Sequence, residues 1–285
     1  MEVNPGTVNE VKLQLLKAMG VNRLSVGVQS FDNNCLKALG RIHSAKEAAE
    51  AIALAQTVGF ENISLDLMYG LPGQTMELLQ DSVQQAVATG VQHISIYGLH
   101  LEEGTVFAKL QEQGRLQLPE EELTEAMYDY LTEAIPKAGY QRYEISNFAQ
   151  PGRESQHNMS YWQDVPYLGF GSGAHGYWQG TRYENPADIP QYIAEIQQGK
   201  VMSHIEETVH PIAHMEEFCF LGLRTAAGID KKKFLVTFGK ELQQVYGAEI
   251  ARLQEQGLLQ ETETAVSLTA LGMKYGNQAF QEFIK

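Results

Sequence analysis

A repeat in the first hundred residues most constrains what this chain can fold into. Three apolar, β-rich runs, Arg23-Leu-Ser-Val-Gly-Val28, Asn62-Ile-Ser-Leu-Asp-Leu-Met68 and His93-Ile-Ser-Ile-Tyr97, are each preceded by an amphipathic helix pattern with its own start and stop signals. Thr7-Val8-Asn9-Glu10 reads as a capping box opening a helix that Gly20 closes, and Ser44-Ala45-Lys46-Glu47 reads as a second, opening a helix that runs to Gly59. A third helix is expected from about Thr75 to Thr89, with Gly90 beyond it. The spacing is near the roughly 30 residues of a βαβ unit. Parallel strands need long crossovers and these are helical, so the fold class is α/β.

Beyond residue 104 the rhythm changes. A long helix from Glu120 to Lys137, a short strand over Tyr143–Ser146 and an aromatic, glycine-rich stretch ending near Gly180 form an α+β extension over residues 105–205. Residues 206–285 read as a helix over about Ile212–Leu223, a turn at Gly228, helix to Gln256, two short strands and a final helix, which together suggest a winged-helix-like module. Residues 1–104 carry the strand–helix repeat. They begin on Met1-Glu2-Val3-Asn4, the polar end of a strand whose apolar body does not precede it. The expectation is a partial (β/α) barrel lacking its first strands.

Composition narrows the partners. With 35 acidic against 21 basic residues and a net charge of -14, the chain would repel a polyanion, so nucleic acid is a poor partner. No apolar run approaches the roughly 20 residues of a membrane span, and no leader pattern opens the chain. Two cysteines, Cys35 and Cys219, without a CxxC spacing, fit a reducing cytoplasmic setting. They are too few for a cluster held by three thiolates.

In parallel α/β folds, ligands gather at the C-terminal ends of the strands. Glu2, Gln29, Arg41 and Asp66 fall at such places. Taken singly, each also has a structural explanation: an Asp inside a strand or an Arg before a helix commonly serves the fold. Taken together, two anions, a cation and an amide suit a zwitterionic ligand bearing ribose hydroxyls.

Glu-Val-Asn-Pro-Gly-Thr (2–7), Arg-Leu-Ser-Val-Gly-Val-Gln-Ser-Phe (23–31), Leu-Gly-Arg-Ile-His (39–43) and Leu-Asp-Leu-Met-Tyr-Gly-Leu-Pro-Gly (65–73) resemble, in order and spacing, the coproporphyrinogen-oxidase-like family of radical S-adenosylmethionine (SAM) proteins. The resemblance covers essentially the whole chain. It implies a radical-SAM barrel in which Glu2, Gln29, Arg41 and Asp66 contact SAM. It also implies a [4Fe–4S] cluster on a Cys-x-x-x-Cys-x-x-Cys loop. That triplet does not occur in this sequence, so the cluster is not expected on this chain, and on the order of 90 residues of the family's pattern are not represented before Met1.

The second half separates the branches. Gln156-His-Asn-Met-Ser-Tyr-Trp162 and Tyr167-Leu-Gly-Phe-Gly-Ser-Gly-Ala-His-Gly176 resemble the family's heme-chaperone branch, with its His-Asn-x-x-Tyr-Trp signature. The resemblance implies heme as ligand, heme-requiring proteins as clients, and SAM and cluster as regulators in the intact family. His157 can ligate heme iron, Tyr161 and Trp162 can face the macrocycle, and Arg153 or Arg182 can pair with propionates. Equally, His157 and Asn158 could bind a loop to the scaffold, and His175 fits a structural role. The alternative function is an oxygen-independent coproporphyrinogen III oxidase or dehydrogenase of porphyrin biosynthesis. An interaction module that uses only the C-terminal end is the third possibility.

Overall fold

Glu2–Val3 (β1) pairs in parallel with Leu24–Gln29 (β2), placing Glu2 opposite Ser25, and the same parallel pairing continues through the two later strands of the repeat. The computed structural model describes residues 1–202 and 204–284. Between the strands run a 3-10 turn at Pro5–Thr7, α1 (Glu10–Ala18), α2 (Asn33–Ala38), α3 (Ala45–Val58) and α4 (Met76–Ala88), leading to β3 (Ile63–Tyr69) and β4 (His93–Gly98). After α5 (Val106–Glu112) and α6 (Glu121–Lys137), the hairpin β5 (Gln141–Arg142) and β6 (Asn147–Ala149) adds two antiparallel strands. The sheet order is β1-β2-β3-β4-β6-β5, a mixed α/β sheet in which the first four strands are parallel.

The helix signals mostly act where expected. Ser44 Oγ accepts from the Glu47 amide while Glu47 returns a 2.8 Å bond to the Ser44 amide, and Gly59 closes α3 at φ +95°. Thr75 caps α4. At α1, however, the cap is Asn9, whose side chain accepts from the Lys12 amide at 2.9 Å; Thr7 lies inside the 3-10 turn and bonds to the Asn4 carbonyl. Pro5 explains the shift: its fixed φ bends the chain early, leaving Asn9, at φ -143°, as the extended residue before the helix. The strand expected at Tyr143–Ser146 is instead the turn between β5 and β6. Its carbonyls are satisfied by Arg142, whose Nε donates to Glu144 O and Ile145 O, and Glu144 Oε1 accepts from the Ser146 amide.

The period of two sorts each strand into two faces. Leu24, Val26 and Val28 of β2, Ile63, Leu65 and Leu67 of β3, and Ile94 and Ile96 of β4 are buried among Leu13, Ile52, Leu79, Val83, Met127 and Leu131 of the helices. Ser25, Ser64, Asp66, His93 and Ser95 occupy the alternate positions, and pairings such as Ser64 with His93 and Asp66 with Ser95 carry that polar stripe across the sheet. Burying one leucine side chain supplies about 1.5–3 kcal/mol, so the helix-covered face drives folding and the other face is available for chemistry.

The chain divides into two compact units, Met1–Glu154 and Ser155 onward, so the boundary falls inside the 105–205 stretch. The second unit opens with α7 (Gln156–Trp162), followed by β7 (His175–Trp178), β8 (Thr181–Glu184), α8 (Ile189–Gln197) and β9 (His204–Thr208). There follow α9 (Pro211–Leu223), β10 (Ile229–Asp230), α10 (Lys231–Phe238), α11 (Leu242–Glu255), β11 (Leu259–Glu261), β12 (Ala265–Leu268), α12 (Ala270–Lys274) and α13 (Gly276–Gln281). β7-β8-β9 and β10-β12-β11 are separate antiparallel sheets. The second sheet packs with α9–α11 around Phe218, Phe234, Tyr246 and Phe283, as a winged-helix-like module requires. Gly228 permits this: a Cβ there would lie 2.2 Å from the Val266 carbonyl oxygen. Among the described residues, no helix is long and apolar enough to cross a membrane.

Candidate functional site

Two constellations stand out, one in each unit. In the first unit, β2 and β3 fall out of register between Val26 and Gln29, and the irregularity re-aims the strand end. Gln29 is buried at φ +70°, a left-handed backbone that costs a non-glycine residue of order 1–3 kcal/mol. Its Nε2 and the Asn4 Oδ1 flank Gly27, where an added Cβ would meet them at 3.1 and 3.2 Å. Arg41 Nη1 donates to the same Asn4 Oδ1 at 3.3 Å. Gln29 and Arg41 therefore both lie near Asn4, Gln29 beside it at Gly27 and Arg41 through a hydrogen bond. Asn4 follows directly on β1, at that strand's C-terminal end.

Asp66 sits in the polar stripe of β3. Burial pushes its carboxyl above the usual range, Ser95 and Ser25 hydrogen bonds pull against that, and the Glu2 charge adds to the rise. Glu2 itself is exposed at the sheet edge. Gln29 and Arg41 thus lie by Asn4 beyond the strand ends, whereas Asp66 stands in the middle of β3 and feels Glu2, which is level with Ser25 and Ser64, only through its charge. Lower on the same face, Ser64 Oγ and Tyr143 OH lie 2.7 and 2.8 Å from the two nitrogens of His93. Burial first, then the Arg23 charge, lowers His93 to about 3, so it stays a neutral link near the strand starts.

Neither cysteine resembles a metal ligand. Cys35 is buried and its thiol is raised to about 11 by burial and by Asp32. Cys219 is buried in α9, and burial alone raises its thiol.

In the second unit the candidate helix is α7, capped by Ser155 and with none of its own residues buried. His157 and Tyr161, four apart, share one face. The Tyr161 hydroxyl and His157 Nε2 are 3.2 Å apart, and the Tyr161 ring packs edge-on against His157 and Tyr167 with centroids at 4.9 and 4.7 Å. Trp162 points elsewhere. With Met159, Phe218, Gly222, Ile229 and Lys233 it lines a cavity of about 250 Å³, and the Arg224 guanidinium lies 4.5 Å over its ring. Its indole Nε1 is buried without a hydrogen-bond partner.

The remaining expected ligands are placed as follows. Arg182 is held by Glu207 at 2.8 Å and Glu217 at 2.7 Å, so its donors are committed within the fold rather than offered to a propionate. Arg153 belongs to the first unit, where its peptide oxygen accepts from Arg23. His175 is exposed and pairs with Glu206 at 2.9 Å.

Comparison with known proteins places both units. Residues 1–86 match the Radical SAM superfamily and residues 209–274 the HemN C-terminal domain. The heme chaperone HemW of Bacillus subtilis (strain 168) is 42% identical over 284 residues, covering 100% of this chain and 75% of the relative. The heme chaperone HemW of Lactococcus lactis subsp. lactis (strain IL1403) is 38% identical over 284 residues, covering 100% and 74%. Among solved structures, the radical SAM enzyme coproporphyrinogen III oxidase (HemN) from Escherichia coli superposes with a TM-score of 0.80 at 20% identity, over 99% of this chain and 68% of that one. At that identity the likeness shows a shared fold and nothing more.

Proposed function

This chain belongs to the heme chaperone HemW family within the radical SAM superfamily, and on that premise we propose that it binds heme on the α7 surface and passes it to heme-requiring client proteins. The observation that carries the proposal is the exposed His157 imidazole beside Tyr161, on a helix whose residues are all at least partly accessible. A neutral imidazole nitrogen is an axial ligand for heme iron. Ligation through Nε2 gives up the contact with the Tyr161 hydroxyl. Tyr161 and Tyr167 then offer aromatic carbon to the macrocycle. A ligand held at the surface is also one that a client can reach.

SAM is proposed on the polar face of the first unit's sheet, toward the strand ends, held by Gln29, Arg41, Asp66 and Glu2. The close approach at Gly27 supports the fit, because a side chain there would fill the space between Gln29 and Asn4. When bound, SAM supplies a sulfonium cation, an amino-acid head group and ribose hydroxyls. Arg41 suits the carboxylate, and Asp66 suits a hydroxyl, which it can meet either protonated or charged. The [4Fe–4S] cluster does not fit the residues present: both thiols are buried and hard to ionise, and a cluster needs thiolates.

Hemin titration tests the proposal. The expected result is a Soret shift that saturates with the purified chain and is lost in His157→Ala. A spectrum indifferent to that substitution would overturn the ligand assignment.

A further inference from the structure

Outside both constellations, the exposed face of the β7-β8-β9 sheet gathers three potential metal ligands from three different strands. His175 of β7 stands opposite Glu184 of β8, and Glu184 stands opposite His204 of β9. Between Arg182 and Tyr183 the β8–β9 register shifts, so that Arg182 pairs with Glu207 and Tyr183 with Ile205. Glu206 is the extra residue in that irregularity. Its Oε2 reaches His175 Nδ1 at 2.9 Å, and one ligand atom each from His175, Glu184 and Glu206 lies within 4.8 Å of the other two.

The basic groups beside it on β8 and β9 are engaged with other carboxylates. Arg182 is shared between Glu207 and Glu217, and His204 Nε2 pairs with Glu195 at 2.8 Å. Glu184 and Glu206 therefore converge on one imidazole, in a chain whose net charge of -14 concentrates cations around it.

We propose that His175, Glu184 and Glu206 form a binding site for a divalent first-row transition ion of the zinc type, separate from the heme surface. One imidazole nitrogen and two carboxylates are a donor set that zinc accepts, at about 2.0–2.2 Å, with a further position left for water. The imidazole disfavours magnesium and calcium, which take oxygen ligands. All three side chains are exposed, so closing from the present separations to coordination distance takes side-chain rotation and leaves the strands in place.

Calorimetric titration of the whole, metal-free chain with Zn²⁺ tests the site, with Co²⁺ as a second probe read by its visible absorption. The expected result is one saturable equivalent, weakened about tenfold or more by Glu184→Gln and by Glu206→Gln. Far-UV circular dichroism and the hemin response should not change, because both substitutions are exposed and nearly isosteric. His157→Ala should leave Zn²⁺ binding intact, which separates this site from the heme proposal. Absence of saturable binding, binding that survives Glu184→Gln/Glu206→Gln together, or binding lost with His157→Ala would each overturn the assignment.

Discussion

In the first unit, the polar groups are held from behind by a parallel sheet: Asp66 follows the buried Leu65 directly, and Gln29 is pinned in a left-handed conformation where the register breaks. On α7 of the second unit, His157 and Tyr161 ride a seven-residue helix that buries none of its own residues. The first arrangement spends folding energy to fix its polar groups before any ligand arrives. The second spends little. The difference teaches that the first region has the rigidity to hold the proposed SAM in a set pose, while the second has the exposure to present the proposed heme. Substitutions in the sheet of the first unit should register as stability changes, and substitutions on the His157 face as binding changes alone.

The comparison breaks most visibly if the sheet is not the frame. Leu65→Ala, at a fully buried site, should cost roughly 2–5 kcal/mol in urea unfolding of the chain, and a loss below about 1 kcal/mol would remove the basis for a rigid first region. Next in size is the Trp162 side of α7. Arg224→Ala removes the guanidinium stacked on Trp162 and should cost about 1–2 kcal/mol, with Arg224→Lys recovering part of it. Equal stability of Arg224→Ala and the parent would mean that nothing anchors α7 through its tryptophan.

A smaller effect, of opposite sign, is expected at Asp66. Its folded carboxyl is raised above the unfolded value of about 3.9, so the stability linked to the protonated form is complete below that pH and is lost as pH rises through the folded value. At neutral pH the buried charge is a liability that Asp66→Asn removes. The variant should melt higher than the parent at pH 7, and the two should converge below about pH 4. A variant that melts lower at pH 7 would show the carboxylate to be structural. Smallest of all, His157→Ala should shift stability by no more than about 0.5 kcal/mol while abolishing the hemin response.

Much of the first unit is legible in the sequence because its signals are local. The Ser44–Glu47 box, the Thr75 cap and the glycines at 20, 59 and 90 each act within one helical turn of where they stand. Legibility fails where a neighbour decides. Asn9 displaces Thr7 as a cap because Pro5 bends the chain first, and Tyr143–Ser146 becomes a turn because Arg142 folds back onto its carbonyls. At the candidate sites the residue types are readable but their grouping is not. Asn4, which lies near both Gln29 and Arg41, carries no motif of its own. The separation of Trp162 from Tyr161 is recoverable from helical periodicity, since residues 157 and 161 share a face and residue 162 is rotated about 100° from residue 161. Its stacking on Arg224, 62 positions along the chain, is not.

The burial of both thiols has a practical side. Cys35 and Cys219 ionise so reluctantly that a maleimide dye at neutral pH would react with neither at an appreciable rate. A cysteine introduced at the exposed Ser172, in the glycine-rich stretch, would be the one addressable sulfur. A fluorophore there would be quenched by a porphyrin arriving on the same unit, so loading and handover could be followed in real time without altering a native residue on α7.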